Sequence, residues 1–352
     1  MPTTVAVALA ECCEAIALGT RGAARWKPVV ERVRSKIAEE FGVAEAEVSF
    51  MSSTGEAMNA IARAVHWQPG DEVLVLSDDF PTVVLPWTRL GGDIRVVRVK
   101  AWPGDDRLGA LLASIGPRTR LVAVSHVNSL TGGRIDLDAL GTACARAGAM
   151  LVCDGAQAAG CIPVTLDAVD FYIATSYKWL LAGFGLSVVI GKQARLAQLT
   201  PGLLGHGNPP PSHRLTYGHL NLAGVYALDA ATAARREIGI EAIHDRVAHL
   251  VRRIHEATSE LGLRPATDLA KTAGIVGLTG LPDVPAAVAE LSASGISVAN
   301  RGDYLRISPY FYTTDHDIDA LLRALTDIPD ANHGGIPRQP FTLHDDDGLH
   351  IS

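Results

Sequence analysis

The 352-residue sequence contains no run of about 18 uncharged apolar residues, the length a bilayer-crossing helix needs, so no membrane span is expected. It also lacks a basic stripe. Lys and Arg number 31 against 38 Asp and Glu, and the net charge of −7 is spread along the chain, which argues against nucleic acid as the main partner. Cysteine is scarce: Cys12, Cys13, Cys144, Cys153 and Cys161 fall in no metal-ligand spacing and give an odd count. They read as reduced thiols, with no metal implied. No cysteine follows Cys161. The opening Met1-Pro2-Thr3-Thr4 has no basic cluster and soon meets Glu11 and Glu14, so a secretory leader is not expected and the cytoplasm is the expected location. Internal repeats are absent. Neither a Gly-x-Gly-x-x-Gly fingerprint nor a Walker loop is present, which argues against a nucleotide-binding domain.

What the chain does have is apolar residue content: 48% hydrophobic over this length supports a large core and, by expectation, two domains. The first half alternates compact apolar runs (48–51, 72–77, 94–99, 121–125, 150–154, 171–175 and 186–190) with amphipathic stretches at 4–18, 26–40 and 54–65. That alternation predicts an α/β architecture, a mostly parallel sheet sandwiched by helices. A Gly- and Pro-rich loop at 205–211 is followed by one long helical pattern over 221–261. A smaller α+β unit then follows, with strands at 273–277, 297–299 and 304–308 and helices at 284–293 and 315–326. The expected division is an N-terminal segment, 1–20, associated with the small domain; a large domain, 21–222; a small domain, 223–328; and a flexible tail, 329–352.

Lys178 stands alone in the apolar, glycine-punctuated run from Ala174 to Gly185. An unpaired ammonium is expensive to bury, so this lysine is paired, turned to solvent, or kept neutral for chemistry. Burial lowers a lysine pKa, and a neutral amine is what Schiff-base formation requires. Asp154 ends the apolar strand Met150 to Asp154. A strand-end carboxylate followed by Ser176-x-Lys178 suits pyridoxal 5'-phosphate: the carboxylate holds the pyridine nitrogen protonated, the lysine carries the cofactor, and the serine helps hold the phosphate. Ser53-Thr54-Gly55-Glu56 opens a helix, and is either an anion site or a plain N-cap. Phe80 is either a ring-stacking aromatic or a packed loop residue. His126 would assist at the cofactor or simply close a strand end. Arg306 would bind a substrate carboxylate bidentately or form an ordinary salt bridge.

From about Val48 to Leu325 the chain resembles the class V aminotransferase family, the cysteine desulfurase-like group of fold-type I pyridoxal phosphate enzymes. The resemblance is carried by Asp154-Gly155-Ala156-Gln157, Ser176-Tyr177-Lys178-Trp179 and Arg306-Ile307-Ser308-Pro309-Tyr310-Phe311-Tyr312-Thr313-Thr314. Phe80-Pro81-Thr82 through Pro86-Trp87 is similar to the isopenicillin N epimerase-like and kynureninase-like branch. The resemblance implies that Lys178 is the Schiff-base lysine and proton shuttle, that Asp154 pairs with the pyridinium, and that Gln157 lies near the phenolic oxygen. It implies that Thr54, Gly55 and Ser176 hold the phosphate, that Phe80 stacks on the ring, and that Arg306 takes the α-carboxylate. Ser129 stands where the family often has an asparagine. The family works as homodimers in which a neighbour's loop reaches the phosphate, and Tyr217-Gly218-His219-Leu220-Asn221 matches that loop, which implies roles for Gly218 and His219. One departure matters: Gly295 to Tyr304 is short and has no cysteine, which disfavours desulfuration through an enzyme persulfide. The expected activity is therefore aminotransferase-type chemistry on an amino acid or amino-acid conjugate through Lys178. A β-eliminating C–S or C–X lyase ranks next and an epimerase after it; a catalytically silent scaffold on the same fold is the alternative outside enzymes.

Overall fold

The computed structural model describes residues 2–101, 105–200, 202–206 and 215–328, so the expected tail at 329–352 lies outside the described residues. Strands β1 (Val48–Met51), β2 (Glu72–Leu76), β3 (Arg95–Val99), β4 (Thr119–Ser125), β5 (Met150–Asp154), β6 (Phe171–Thr175) and β7 (Ser187–Gly191) form one sheet in the order β1-β7-β6-β5-β4-β2-β3. Strand β7 runs antiparallel to both β1 and β6, and the other pairs are parallel. Helices α1 (Thr3–Ala17), α2 (Ala23–Phe41), α3 (Thr54–Ala64), α4 (Pro81–Val84), α5 (Arg107–Ser114), α6 (Leu137–Ala147), α7 (Gln193–Leu196) and α8 (Leu222–Ile238) surround it. No helix of the described residues is long and apolar enough to cross a membrane.

Side chains alternate across a strand, and both faces of this sheet are apolar because both are covered. In β4, Val122 and Val124 join the cluster containing α2, α6 and α8, whereas Leu121 and Ala123 join the cluster containing α3. In β5, Leu151 and Cys153 take the first side, and Met150 and Val152 take the second. This parity decides which face each strand-end residue serves.

A second sheet holds β8 (Arg264–Pro265), β9 (Val276–Thr279), β10 (Ala299–Arg301) and β11 (Tyr304–Ile307), ordered β10-β11-β9-β8 and antiparallel throughout. Val276, Leu278, Leu305 and Ile307 pack with α9 (Ile240–Glu260), α10 (Val284–Ala293) and α11 (Asp315–Thr326). Arg306, opposite Gly277 in the register, lies on the other face, toward the large sheet's loops. A Cβ on Gly277 would come within 2.6 Å of the Leu130 carbonyl oxygen, so only glycine permits this approach of the two units.

One organisational expectation is corrected. The helical pattern at 221–261 is two helices, broken at Gly239, whose φ of +86° is open to glycine at little cost. Segment 1–20 packs chiefly on α8 (Leu222–Ile238), which lies almost wholly within the residues expected for the small domain, 223–328. Val5, Ala8, Cys12 and Ala15, spaced to fall on one helical face, seat α1 in the large-sheet cluster with α2 and α8. Helix α8 belongs to that cluster as well, so the apolar packing changes over at Gly239 rather than near 222.

Candidate active site

Asp154 is the last residue of β5 and shares the parity of Val152, which turns its carboxylate to the α3 side of the sheet. The chain can turn at once because the next residue is Gly155, where a Cβ would lie 2.1 Å from the Tyr172 ring. Asp154 Oδ1 accepts a 2.8 Å hydrogen bond from the Ala156 N–H, while Oδ2 receives none from a described residue. Burial raises the pKa of this carboxyl to about 6, opposed by the Ala156 bond and by Lys178. The carboxylate is thus held in place with one oxygen left for a cationic partner.

Lys178 sits in the loop between β6 and β7. That loop is pinned by backbone bonds from Leu181 N to Lys178 O (3.0 Å) and from Ala182 N to Ser176 O (2.9 Å). Leu181 adopts φ +60°, the left-handed region that a branched side chain seldom enters, which marks the loop as over-determined by its surroundings. Three outside contacts do that work. Arg235 Nη1 donates to Leu180 O at 2.6 Å while its Nη2 pairs with Glu40 at 2.8 Å. The Tyr310 hydroxyl is 2.7 Å from Trp179 O. Trp179 Nε1 donates to Gln157 Oε1 at 3.0 Å.

The lysine itself is half-buried, and Nζ makes no hydrogen bond or ion pair with a described residue. It lies 5.7 Å from the Phe80 ring centroid and 5.8 Å from that of Tyr177. Burial lowers its pKa, Asp154 opposes the shift, and the positive charges of Arg306 and Arg301 reinforce it. Arg306 is held by a 3.1 Å bond from Nη1 to Ser129 O; its buried Nε has no partner, and burial followed by Arg301 lowers its pKa to about 10. Three groups around one lysine therefore lack matching partners: an amine, one carboxylate oxygen and a guanidinium.

The remaining expected residues divide. Ser53 Oγ accepts from Glu56 N at 3.0 Å as the N-cap of α3, leaving Thr54 and Gly55 in the first turn. The Ser52 N–H and hydroxyl are both taken by Glu56, which also accepts from Tyr217 at 2.6 Å. Gln157, its Oε1 engaged by Trp179, keeps its NH2 for another acceptor. Phe80 is 45% exposed, open to a flat ligand beside Lys178. Gly218 is half-buried, and His219 is exposed against His206 at 4.4 Å between ring centroids. Ser129 offers its carbonyl to Arg306 rather than a side chain, and neighbouring Asn128 is spent on Leu130 and Thr131.

Two of the expected residues are engaged by other groups of the chain. Ser176 is fully buried, and its hydroxyl donates to Gly183 O at 2.6 Å, closing the lysine loop. His126 does not meet the lysine. Ser125 pairs with Asp154 and shares its face, so the next residue turns to the opposite one. There His126 Nδ1 lies 3.3 Å from the Tyr172 hydroxyl, and burial lowers its pKa to about 4. Its ring lines a separate cleft of 490 Å3 with Arg107, Arg134, Asp136 and Lys271, to which Lys178 and Asp154 do not contribute.

Asp79 was not singled out by the sequence, yet it fastens the Phe80 loop to β4. Its carboxylate accepts from Phe80 N at 2.7 Å, from Ser125 N at 2.8 Å and from the Ser125 hydroxyl. The only signal is an Asp preceding the aromatic. Asp79→Ala is expected to cost about 3 kcal/mol, because hydrogen bonds to a charged acceptor are lost and a buried N–H is orphaned. Urea unfolding checks this, and an unchanged midpoint would refute the role.

The chain matches the family model described as aminotransferase class-V over residues 19–321. It is 27% identical to isopenicillin N epimerase of Amycolatopsis lactamdurans over 86% of this chain and 85% of that protein. It is 28% identical to a probable cysteine desulfurase of Mycolicibacterium paratuberculosis, covering 87% of this chain but 50% of that protein, so it spans half that relative's length. Among solved structures, the apo cysteine desulfurase of Thermococcus onnurineus NA1 superposes with a TM-score of 0.85 at 23% identity, covering 93% and 91% of the two chains, a likeness of fold.

Proposed function

Because the chain belongs to the aminotransferase class-V family, whose cofactor is pyridoxal 5'-phosphate, we propose an enzyme that removes the α-proton of an amino acid or amino-acid conjugate with Lys178, in aminotransferase-type chemistry. The observation that carries this reading is the half-buried amine of Lys178, without a hydrogen-bond partner among the described residues, near an open carboxylate oxygen of Asp154 and Arg306, whose buried Nε has no partner. The donor set fits the cofactor. Thr54 and Gly55 would offer first-turn N–H groups to its phosphate, with Gly218 and His219 of a second copy completing that end in a homodimer. Asp154 would hold a proton at the ring nitrogen, Gln157 would face the phenolic oxygen, and Phe80 would cover the ring. When bound, the cofactor supplies a carbonyl that condenses with amines and a ring that accepts the electron pair left at Cα.

Lys178 Nζ would hold the cofactor. With its pKa lowered by burial, the Lys178 amine would be the chain's base for the α-proton. Arg306 takes the α-carboxylate through its open edge, anchored from behind by Ser129 O, which fixes Cα relative to Nζ. The stacked Tyr177 and Phe184 rings, with centroids 4.4 Å apart, belong to the lysine loop.

Returning the proton to the cofactor carbon gives transamination. Delivering a proton to the opposite face of Cα would give epimerisation, a second reading favoured by the epimerase relative of matching length. A persulfide route has less support. Turn residues Gly302 and Asp303 join β10 to β11 with no thiol, and of the five cysteines only Cys13, on α1, is exposed.

The test is an absorbance titration of cofactor-loaded protein with amino acids, products identified by mass and chirality. A keto acid supports transamination, an inverted α-carbon supports epimerisation, and a released β-substituent supports elimination. Protein that takes up no cofactor would sink the proposal. Arg306→Ala is expected to raise KM about a hundredfold, as for a charged hydrogen bond pair lost, with cofactor still bound; loss of the cofactor instead would make Arg306 a structural residue.

A further inference from the structure

The register of the β10–β11 hairpin brings a second guanidinium beside the first. Arg301 pairs with Tyr304 and Ala299 with Arg306. Directly opposed residues share a sheet face, and so do residues two apart along a strand. Arg301, Tyr304 and Arg306 therefore lie on one face, while Leu305, fully buried in the helix-covered cluster, lies on the other. Tyr304 is buried against Leu130 and Ala266, which fixes the hairpin against the large domain's loop.

Arg301 is exposed and makes no ion pair with a described residue; its Nη1 reaches only the Asn300 carbonyl, at 3.3 Å. Its charge is nevertheless felt by both Arg306 and Lys178. Two cations on one face repel, and the arrangement is relieved when anions enter. The α-carboxylate accounts for one of them.

Resting on the reading that Arg306 binds the α-carboxylate, we infer that Arg301 receives a second anionic group, on the substrate's side chain. The substrate class is then amino acids with a distal acid: a carboxylate, a sulfinate or a phosphate. The planar fork of a guanidinium suits all three. Arg301 is the residue that selects among amino acids, and Lys178 and Arg306 treat them alike.

The experiment is a titration of cofactor-loaded protein with matched pairs, aspartate against asparagine and glutamate against glutamine, with cysteine sulfinate and phosphoserine as further arms. Affinity is read from the cofactor absorbance and independently from thermal shift. The acidic member of each pair is expected to bind more tightly, with the preference shrinking as salt is added. Arg301→Gln is expected to weaken the acidic members on the order of ten- to a hundredfold and the amides by less than about twofold. Arg301→Lys recovers part of the loss. The arm with the largest ratio identifies the acid. Equal binding of acid and amide by the unaltered protein, or equal weakening of both by Arg301→Gln, overturns the inference while leaving the amino-acid reading intact. If no amino acid moves either signal, the underlying reading fails and this inference with it.

Discussion

Replacing Lys178 with alanine is expected to lower turnover of an amino-acid substrate by about a thousandfold or more, the scale of a lost general base. Nζ makes no hydrogen bond to a described residue, so nothing in the fold depends on it. The loop is held instead by Arg235, Tyr310 and the Ser176–Gly183 closure. The unfolding midpoint of Lys178→Ala should therefore match or exceed that of the parent, because a half-buried, unpaired amine has been removed. The visible absorbance of the lysine-linked cofactor should vanish. Small primary amines added to the solution should restore part of the turnover, since the space left by the side chain opens beside Phe80. A variant that keeps its parent's activity and spectrum would remove Lys178 from the chemistry.

Asp154→Asn should show opposite effects on stability and on activity. Burial raises the folded-state pKa of Asp154 from an ordinary 3.8 to about 6. A raised carboxyl pKa means that the folded protein holds the proton more tightly than the unfolded chain. That contribution is complete below about pH 4 and is lost as pH rises through about 6, a swing of about 3 kcal/mol at 1.36 kcal/mol per unit. Asparagine does not titrate. Without cofactor, the stability of the parent relative to Asp154→Asn should therefore fall by about that amount between pH 4 and 7, measured by urea unfolding of both proteins side by side. With cofactor the ranking reverses, because the carboxylate is then wanted in its charged form against a ring cation. Turnover of Asp154→Asn should drop by about a hundredfold, in the range found when a preorganised electrostatic partner is removed. A difference in stability that does not vary with pH would show that the carboxyl is not perturbed by its burial.

Much of this was readable from the chain. The strands and helices that frame the site show the two- and 3.6-residue periods directly, and strands such as Met150–Asp154 and Phe171–Thr175 begin and end where the apolar runs do. Lys178, Asp154 and Arg306 are conspicuous because each sets a charge in apolar company. What escaped was tertiary. Nothing within residues 3–17 tells which cluster their apolar stripe will meet. Gly239 hides inside a helical pattern because a single glycine there is tolerable until a left-handed φ is required. Ser176, expected to help hold a phosphate from its spacing to the lysine, also donates its hydroxyl to Gly183 O, a closure that spacing does not reveal. His126 was within reach of the sequence: counting alternate residues back along β4 from Ser125 puts it on the Tyr172 side. Asp79 and Arg235 act through hydrogen bonds to distant backbone, which leave no pattern in one dimension.

The turn at Gly302 and Asp303 bears on how such a scaffold acquires new chemistry. It closes the hairpin that carries both arginines, with Gly302 at φ +64°, and both its residues are exposed, outside either core. Each doubling of a flexible loop costs only about 0.6 kcal/mol in closure entropy. A longer segment bearing a reactive thiol could be spliced in here without moving a strand, a helix or the lysine. A series of loop grafts at this position would change what the protein does with sulfur while its amino-group machinery stays as it is, which makes the shortest connection in the small sheet its most permissive site for innovation.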